Sequence, residues 1–403
     1  MLRLLAGEAA RRFGVRTAFD TGSASLSFSD LDRLSDEVAA GYAHRGVRMG
    51  DIVALLLPDG LDFPVCYLAA AKIGAITAGV PPGHPDPAAE VDRLRAALVV
   101  TAPGLPSGTA GVRDVITVED PAAERRRPYT GEGLRRLRRA ELPPPPLPPD
   151  PQRPVAIVYT SGRTGRPKGV VFGDRQLAAI RAQGAGVRWG TGDARLLARP
   201  LTHLGFMTRL PVLLQTGRTS HILPTWDAEV VLRLVRDRGL GVLQGTPGQL
   251  AEVLREAAEP PGTLRMILSS DGPAKPALIR SLRERFGVPV CNRYLCTEAG
   301  LGLGTGPTDP PQDAERTVGR PRPGIDLDIR DLGGRTLPTG EVGEVLLRSQ
   351  AVMSGYFHDP WGNARVFAKD GFVRTGDLGY VDEVGRLHVI GRTADREEPP
   401  AMG

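Results

Sequence analysis

Lysine is nearly absent from this chain of 403 residues. Of its 51 basic side chains only Lys72, Lys168, Lys275 and Lys369 are lysine, and the rest are arginine. Cysteine is as scarce. Cys66, Cys291 and Cys296 are odd in number and show no CxxC spacing, which argues against a disulfide framework or a zinc site and suits a reduced, cytoplasmic setting. A packed thiol is the default expectation for Cys296. No stretch approaches the ~18–20 apolar residues a membrane-spanning helix needs, and Met1–Gly14 carries charge where a signal peptide would have an apolar core. No membrane partner is therefore expected. Aromatic residues make up 5% of the chain and do not interleave with the basic runs Arg125–Arg127 and Arg135–Arg139, so the net charge of +5 does not point to nucleic acid. Those runs read as a solvated connector.

What is present is an alternation of helix-like and strand-like segments. Leu31, Leu34, Val38 and Tyr42 recur at helical spacing behind Ser29, a candidate cap. Ile52–Leu57 is a short continuous apolar run, as expected of a parallel strand covered on both faces. Phe63–Ile73 again reads as helix and Ala75–Val80 as strand. Residues 119–153 break the rhythm with arginine clusters and with Pro143–Pro146, Pro148 and Pro149, which predicts an extended connector with no packed core. Strand Val155–Thr160, helices near Arg175–Gly184, Ala228–Arg238 and Pro276–Phe286, and strand Arg265–Leu268 restore it. Beyond about Thr317 the alternation of Ile325, Leu327 and Ile329 and the turn at Gly333-Gly334 predict short strands. The expected class is α/β: two interleaved doubly wound sheets, with α/β subdomains at 1–118 and 154–316, plus a small C-terminal β-rich, barrel-like subdomain at 317–393. Together they form a core of residues 1–393, followed by a hinge-like tail at 394–403.

The most informative segment is Tyr159-Thr160-Ser161-Gly162-Arg163-Thr164-Gly165-Arg166-Pro167-Lys168-Gly169. It follows a strand. Its glycines let backbone N–H groups approach an anion, its hydroxyls donate, and Lys168 adds a mobile positive charge, so the loop suits polyphosphate. A Walker loop would run Gly-Lys-Ser/Thr into a helix, whereas Pro167 disfavours helix at the residue before it.

This string resembles the YTSG-STG-PKG signature of the acyl-adenylate-forming superfamily, which comprises acyl-CoA synthetases, peptide-synthetase adenylation domains and luciferases. Further segments fall in that family's order over residues 20–395: Leu201-Thr202-His203, Ser269-Ser270-Asp271-Gly272-Pro273-Ala274, Tyr294-Leu295-Cys296-Thr297-Glu298, Gly340–Glu344, Gly355-Tyr356, Arg374–Asp377 and Gly391-Arg392. The resemblance implies ATP-dependent activation of a carboxylic acid to its acyl-adenylate with release of pyrophosphate, for transfer to a thiol of coenzyme A or a carrier protein, or to an amine. It implies ATP and Mg2+ as cofactors, with coenzyme A as a further candidate. Lys168, with Thr160, Ser161, Gly162, Arg163, Thr164 and Gly165, would hold the β- and γ-phosphates. Thr297 would meet the α-phosphate and Glu298 the magnesium ion. Asp271, Gly272 and Pro273 would flank adenine, and Tyr294 would stack on it. Asp377 and Arg392 would take the ribose. His203 would gate the acid pocket, with a hydrogen-bonded structural histidine as the alternative.

Four departures qualify the resemblance. Arg163 replaces a serine or threonine, and Leu295 replaces the glycine of YG-TE. No aspartate stands near Leu204–Phe206, where amino-acid-activating members pair the substrate amine, which favours an aryl or acyl acid. The family's C-terminal domain, with its catalytic lysine, has no counterpart after Asp395; Lys369 is the last lysine, and of a shortened chain and a natural end the Glu-Glu-Pro-Pro ending favours the natural end. A separate protein supplying that function is one expectation. A degenerate, non-catalytic nucleotide- or adenylate-binding protein of the same fold is the rival reading.

Overall fold

The computed structural model describes residues 1–81, 83–105, 112–119, 128–160, 166–186 and 188–393. The chain divides into two units, Met1–Thr225 and Trp226–Gly403.

In the first unit the strands are β1 (Thr17–Asp20), β2 (Ser25–Ser27), β3 (Ile52–Leu56), β4 (Ile76–Gly79), β5 (Leu98–Thr101), β6 (Asp114–Thr117), β7 (Pro154–Tyr159), β8 (Gly169–Gly173), β9 (Arg195–Leu197) and β10 (Ser220–Ile222). The larger sheet includes the run β8-β7-β4-β3-β5-β6, parallel except for the β7–β8 pair, and a smaller sheet runs β2-β1-β10-β9. Strands from before and after the connector thus share sheets, which is the interleaving the sequence predicts. The continuous apolar run at β3 is buried throughout, as a strand covered on both faces must be.

Helix Phe28–His44 buries Leu31, Leu34, Val38 and Tyr42. Its cap is Ser27, whose Oγ accepts from the Asp30 N–H at 3.0 Å, and not Ser29. The start falls earlier because Phe28 enters the core as the first helical residue. Helix Asp62–Lys72 is buried along its length, and its last residue explains one of the few lysines. The Lys72 ammonium, 1% exposed, reaches the carboxylates of Asp32 at 2.6 Å and Asp36 at 2.8 Å on the neighbouring helix.

The connector is only partly as expected. The prolines at 143–149 are largely exposed, but residues 128–142 dock onto the unit. Tyr129, Leu134 and Leu137 are buried, and Arg138 pairs with Glu37 at 2.6 Å. Gly41 makes the docking possible, since a Cβ there would lie 1.5 Å from the Leu137 carbonyl oxygen. Three apolar residues spaced among the arginines suffice to seat the segment, and proline density alone does not reveal them.

The second unit opens with a Rossmann-like run of parallel strands β11 (Val242–Gly245), β12 (Met266–Ser270) and β13 (Val290–Tyr294), linked by helices Pro247–Glu256 and Pro276–Phe286. The short β14 (Leu303–Gly304) pairs antiparallel with β13. Next come β15 (Ile325–Arg330), β16 (Gly343–Ser349), β17 (Gly355–Tyr356), β18 (Val373–Val381) and β19 (Leu387–Arg392), of which β15-β16-β18-β19 form an antiparallel sheet. The barrel-like expectation is corrected: among the described residues this sheet is open, with β15 and β19 as edges. Four strands are too few to close around a filled interior, which typically takes about eight.

Candidate functional site

The glycine-rich segment is the connection of the β7–β8 hairpin. Tyr159 pairs with Gly169, the Thr160 N–H donates to the Lys168 carbonyl at 3.0 Å, and the Lys168 N–H donates to Thr160 Oγ1 at 3.0 Å. This reciprocal clamp places Lys168 at the end of the hairpin with its side chain exposed. Ser161, Gly162, Arg163, Thr164 and Gly165 lie outside the described residues.

His203, also in the first unit, caps the short helix Leu204–Met207. Its Nδ1 accepts from the Gly205 N–H at 3.1 Å, which makes Nε2 the protonated nitrogen of the neutral ring. Its segment is tied back by Asp59, whose Oδ1 accepts from the Leu201 N–H at 2.6 Å. Burial pushes the Asp59 carboxyl above the usual range, with this backbone bond opposing the shift.

In the second unit Asp271–Pro273, Tyr294, Thr297 and Glu298 lie at or just beyond the carboxyl ends of the parallel strands β12 and β13, where open α/β sheets place their ligands, whereas Asp377 and Arg392 lie on the antiparallel sheet. Beyond β12, Asp271 adopts a left-handed conformation at φ 64°, uncommon without a glycine and tolerated by aspartate. Gln244 Nε2 donates to Ser270 Oγ at 3.1 Å, and Ser270 Oγ donates to Asp271 at 2.8 Å, which couples the ends of β11 and β12. A Cβ on Gly272 would sit 3.6 Å from Pro247, in ordinary contact.

Beyond β13 the chain turns through Leu295–Leu301 and returns as β14. Gly302 is required for that return, because a Cβ there would lie 1.8 Å from the Tyr294 carbonyl oxygen. The turn carries Thr297, half-buried, and Glu298. The two Glu298 oxygens are held separately: Tyr356 on β17 donates to Oε1 at 2.8 Å, and the Cys296 thiol donates to Oε2 at 2.9 Å. Burial, then the Glu298 charge, pushes both the Tyr356 phenol and the Cys296 thiol upward, so both stay protonated near neutral pH. The carboxylate is therefore oriented by neutral donors that do not cancel its charge.

The second carboxylate, Asp377, lies on β18 opposite Arg392 of β19. Arg392 Nε is 3.6 Å from Oδ1, and the Tyr294 hydroxyl donates to Oδ2 at 2.5 Å. Burial, then the Asp377 charge, holds the Tyr294 phenol well above its usual value. The Asp377 N–H is fixed by Thr375 Oγ1 at 3.1 Å. The structure thus brings Tyr294, Asp377 and Arg392 together, and separately joins Glu298 to Tyr356 and Cys296. The roles of Tyr356 and Cys296 escape sequence reasoning. Gly355-Tyr356 stands out as a motif, but nothing in its spacing names Glu298 as its partner.

The residues present fit a magnesium ion held jointly with a nucleotide. Each Glu298 oxygen accepts one hydrogen bond and retains a lone pair. Magnesium takes one or two carboxylates and completes its shell with phosphate and water oxygens. Among the described residues no group of three or more His, Cys, Asp or Glu could form an all-protein metal cage. The neutral Cys296 thiol is suited to orienting the carboxylate and not to ligating so hard an ion.

Known proteins resemble this chain over most of its length. Residues 7–357 match the family described as AMP-binding enzyme. The chain is 30% identical over 390 residues to 4-coumarate–CoA ligase 5 of Oryza sativa subsp. japonica, covering 91% of this chain and 71% of that one. It is 30% identical over 397 residues to the fatty acid–[acyl-carrier-protein] ligase ScoC of Streptomyces coeruleorubidus, covering 92% and 73%. The ATP-bound crystal structure of MatB from Rhodopseudomonas palustris superposes with a TM-score of 0.85 at 24% identity, covering 98% of this chain and 80% of that one, and shares its fold. A match over most of the chain, together with these ligase relatives, settles the family: the protein belongs to the AMP-binding enzymes, the ATP-using ligases that form acyl-adenylates.

Proposed function

We propose that this protein activates a carboxylic acid lacking an α-amino group, using ATP and Mg2+, and that the acyl-adenylate passes to the thiol of coenzyme A or of a carrier protein, or to an amine. The observation that carries the reading is the pair of separately oriented carboxylates, Glu298 and Asp377, on one unit. A carboxylate oxygen of the acid attacks the α-phosphorus of ATP, the bond from that phosphorus to the β-bridging oxygen breaks, and pyrophosphate leaves. The nucleophile is already ionised at neutral pH, so no general base is needed. Catalysis of this kind rests on positioning and on neutralising negative charge.

In this scheme Lys168 and the hairpin N–H groups hold the β- and γ-phosphates, and Thr297 donates to the α-phosphate. Glu298 holds the metal ion, which when bound neutralises charge on the phosphate oxygens. Asp377 accepts from the ribose hydroxyls, with Arg392 beside it, and Asp271–Pro273 and Tyr294 line the adenine. In the second unit the acid lies near Gly245–Thr246 and Leu295–Gly300.

The absence of an aspartate near Leu204 supports an acid without an α-amine, and the relatives named for coumarate and for a fatty acid point the same way. Those two names also span the coenzyme A and carrier-protein acceptors. Leu295, where the family has glycine, favours the rival reading of a non-catalytic nucleotide-binding protein. Pyrophosphate release measured across aryl, acyl and α-amino acids separates the two. Release with aryl or acyl acids is expected. A preference for an α-amino acid would overturn the substrate class, and nucleotide binding without release for any acid would establish the rival.

A further inference from the structure

Glu90 has no part in the scheme above, yet it is one of the most deeply buried acids of the first unit, at 3% exposure on helix Pro87–Leu94. Four side chains converge on it. The Tyr159 hydroxyl donates to Oε1 at 2.9 Å. Arg93, one helical turn on, forms an ion pair with Oε2. Arg166 Nη2 and His84 Nε2 each lie 3.7 Å from the same oxygen. The His84 ring is buried and packs edge-on against Tyr159, with centroids 5.6 Å apart. Its Nδ1 accepts from the Asp86 N–H at 3.2 Å, so Nε2 carries the proton, and among the described residues that buried N–H has no hydrogen-bond partner while facing Glu90.

A buried carboxylate needs compensation, and Arg93 on the same helix supplies it. The further groups do something else, because two of them belong to the hairpin. Tyr159 ends β7, before the glycine-rich connection, and Arg166 follows that connection on the way into β8. One carboxylate therefore reaches a side chain on each arm, adding to the Thr160–Lys168 clamp.

We infer that Glu90 is a positioning residue for the hairpin, clasping Tyr159 on one arm and Arg166 on the other so that the two arms keep the separation needed to bind the β- and γ-phosphates of ATP. The inference rests on reading this hairpin as the phosphate site. It makes a selective claim. AMP has no β- or γ-phosphate and depends on Tyr294, Asp377 and Arg392 in the other unit, so loss of the clasp weakens a triphosphate and spares AMP.

The test is calorimetric titration of the full chain with α,β-methylene-ATP plus Mg2+, and separately with AMP, for wild type, Glu90→Ala, Glu90→Gln and Tyr159→Phe. Glu90→Ala is expected to weaken the triphosphate about ten-fold, as for one hydrogen bond to a charged group, with AMP affinity unchanged. Glu90→Gln still accepts from the phenol but lacks the charge, and falls between. An unchanged ratio of the two affinities in Glu90→Ala overturns the inference, as does an equal loss for both ligands in a folded variant. If Glu90→Ala does not fold, Glu90→Gln and Tyr159→Phe decide, and an unchanged ratio in both overturns it. A wild-type chain that binds neither ligand refutes the nucleotide reading itself, and the clasp falls with it; wild type binding both while the variants keep the ratio refutes the clasp alone.

Discussion

Glu298 and Asp377 are carboxylates of the same unit, each with both oxygens engaged, yet their surroundings differ in one respect that separates their chemistry. Glu298 is held by two neutral donors, a phenol and a thiol. Asp377 is held by a phenol and a guanidinium. Neutral donors fix direction and leave the charge available to a cation. A guanidinium at 3.6 Å offsets part of the charge and leaves a carboxylate better suited to accepting hydrogen bonds from neutral hydroxyls. Under the function proposed above, the first arrangement would suit a metal ion and the second a sugar, from the same functional group.

The comparison can be broken at either carboxylate. Glu298→Gln keeps the shape and removes the charge. It is expected to lower the rate of pyrophosphate release by about 10²–10³ and to raise the Mg2+ concentration needed for an ATP analogue to raise the melting temperature, while metal-free AMP binding persists. Asp377→Ala is expected to do the reverse, abolishing most of the thermal shift caused by AMP and by ATP regardless of Mg2+. If the two variants prove interchangeable in their metal and AMP dependence, the division of labour is wrong.

The parts of this arrangement legible in the sequence were those written locally. The run at β3, the helix Pro276–Phe286 and the Tyr159–Gly169 loop each announce themselves within a dozen residues, by apolar pattern or by glycine and hydroxyl spacing. The carboxylates were legible as motif positions. Their orienting partners were not, because Tyr356 reaches Glu298 across 58 residues and Tyr294 reaches Asp377 across 83. Long-range pairing of that kind is set by how β13, β17 and β18 are placed, and no local spacing encodes it. The same holds for Glu90 and Tyr159, 69 residues apart, and for the docking of Leu134 and Leu137 behind Gly41. The capping error at Ser29 had a different origin: both Ser27 and Ser29 are competent caps, and burial of Phe28 chose between them.

A finer cut removes the phenols one at a time. Tyr356→Phe frees one Glu298 oxygen, and Tyr294→Phe frees one Asp377 oxygen. Each hydrogen bond to a charged group is worth about 1.5–3 kcal/mol, so an effect of roughly ten-fold or somewhat more is expected from each. The effects should not overlap. Tyr356→Phe should shift the Mg2+ dependence and leave AMP affinity in place, and Tyr294→Phe should weaken AMP and leave the Mg2+ dependence in place. Titrating both variants with Mg2+ and with AMP checks the assignment, and a swapped pattern would reverse the roles given to the two carboxylates.

The smallest effect concerns Cys296 and appears as a pH dependence of stability. Burial, then the Glu298 charge, holds the native thiol protonated well above the range of a free cysteine. In the unfolded chain the same thiol ionises near pH ~8.5. The native pKa is therefore raised above the unfolded one, so the contribution is fully present below about pH 8.5 and declines as pH rises from there toward the native value, because the unfolded state alone sheds the proton. Between pH 8 and 9.5 this amounts to about 1 kcal/mol for one such thiol. Cys296→Ser retains a hydroxyl donor to Glu298 and does not titrate in that window. Urea unfolding at the two pH values should thus show a smaller loss of stability for the serine variant than for wild type, by about that amount. Cys66 and Cys291 are also raised by burial and remain in both proteins, so their contributions cancel in the difference. In the native state at pH 8, Cys296 should resist iodoacetamide. Rapid alkylation of the folded protein at Cys296, or an identical pH slope in the two proteins, would mean that the thiol does not sit protonated against Glu298, and the neutral environment that distinguishes Glu298 from Asp377 would lose one of its two donors.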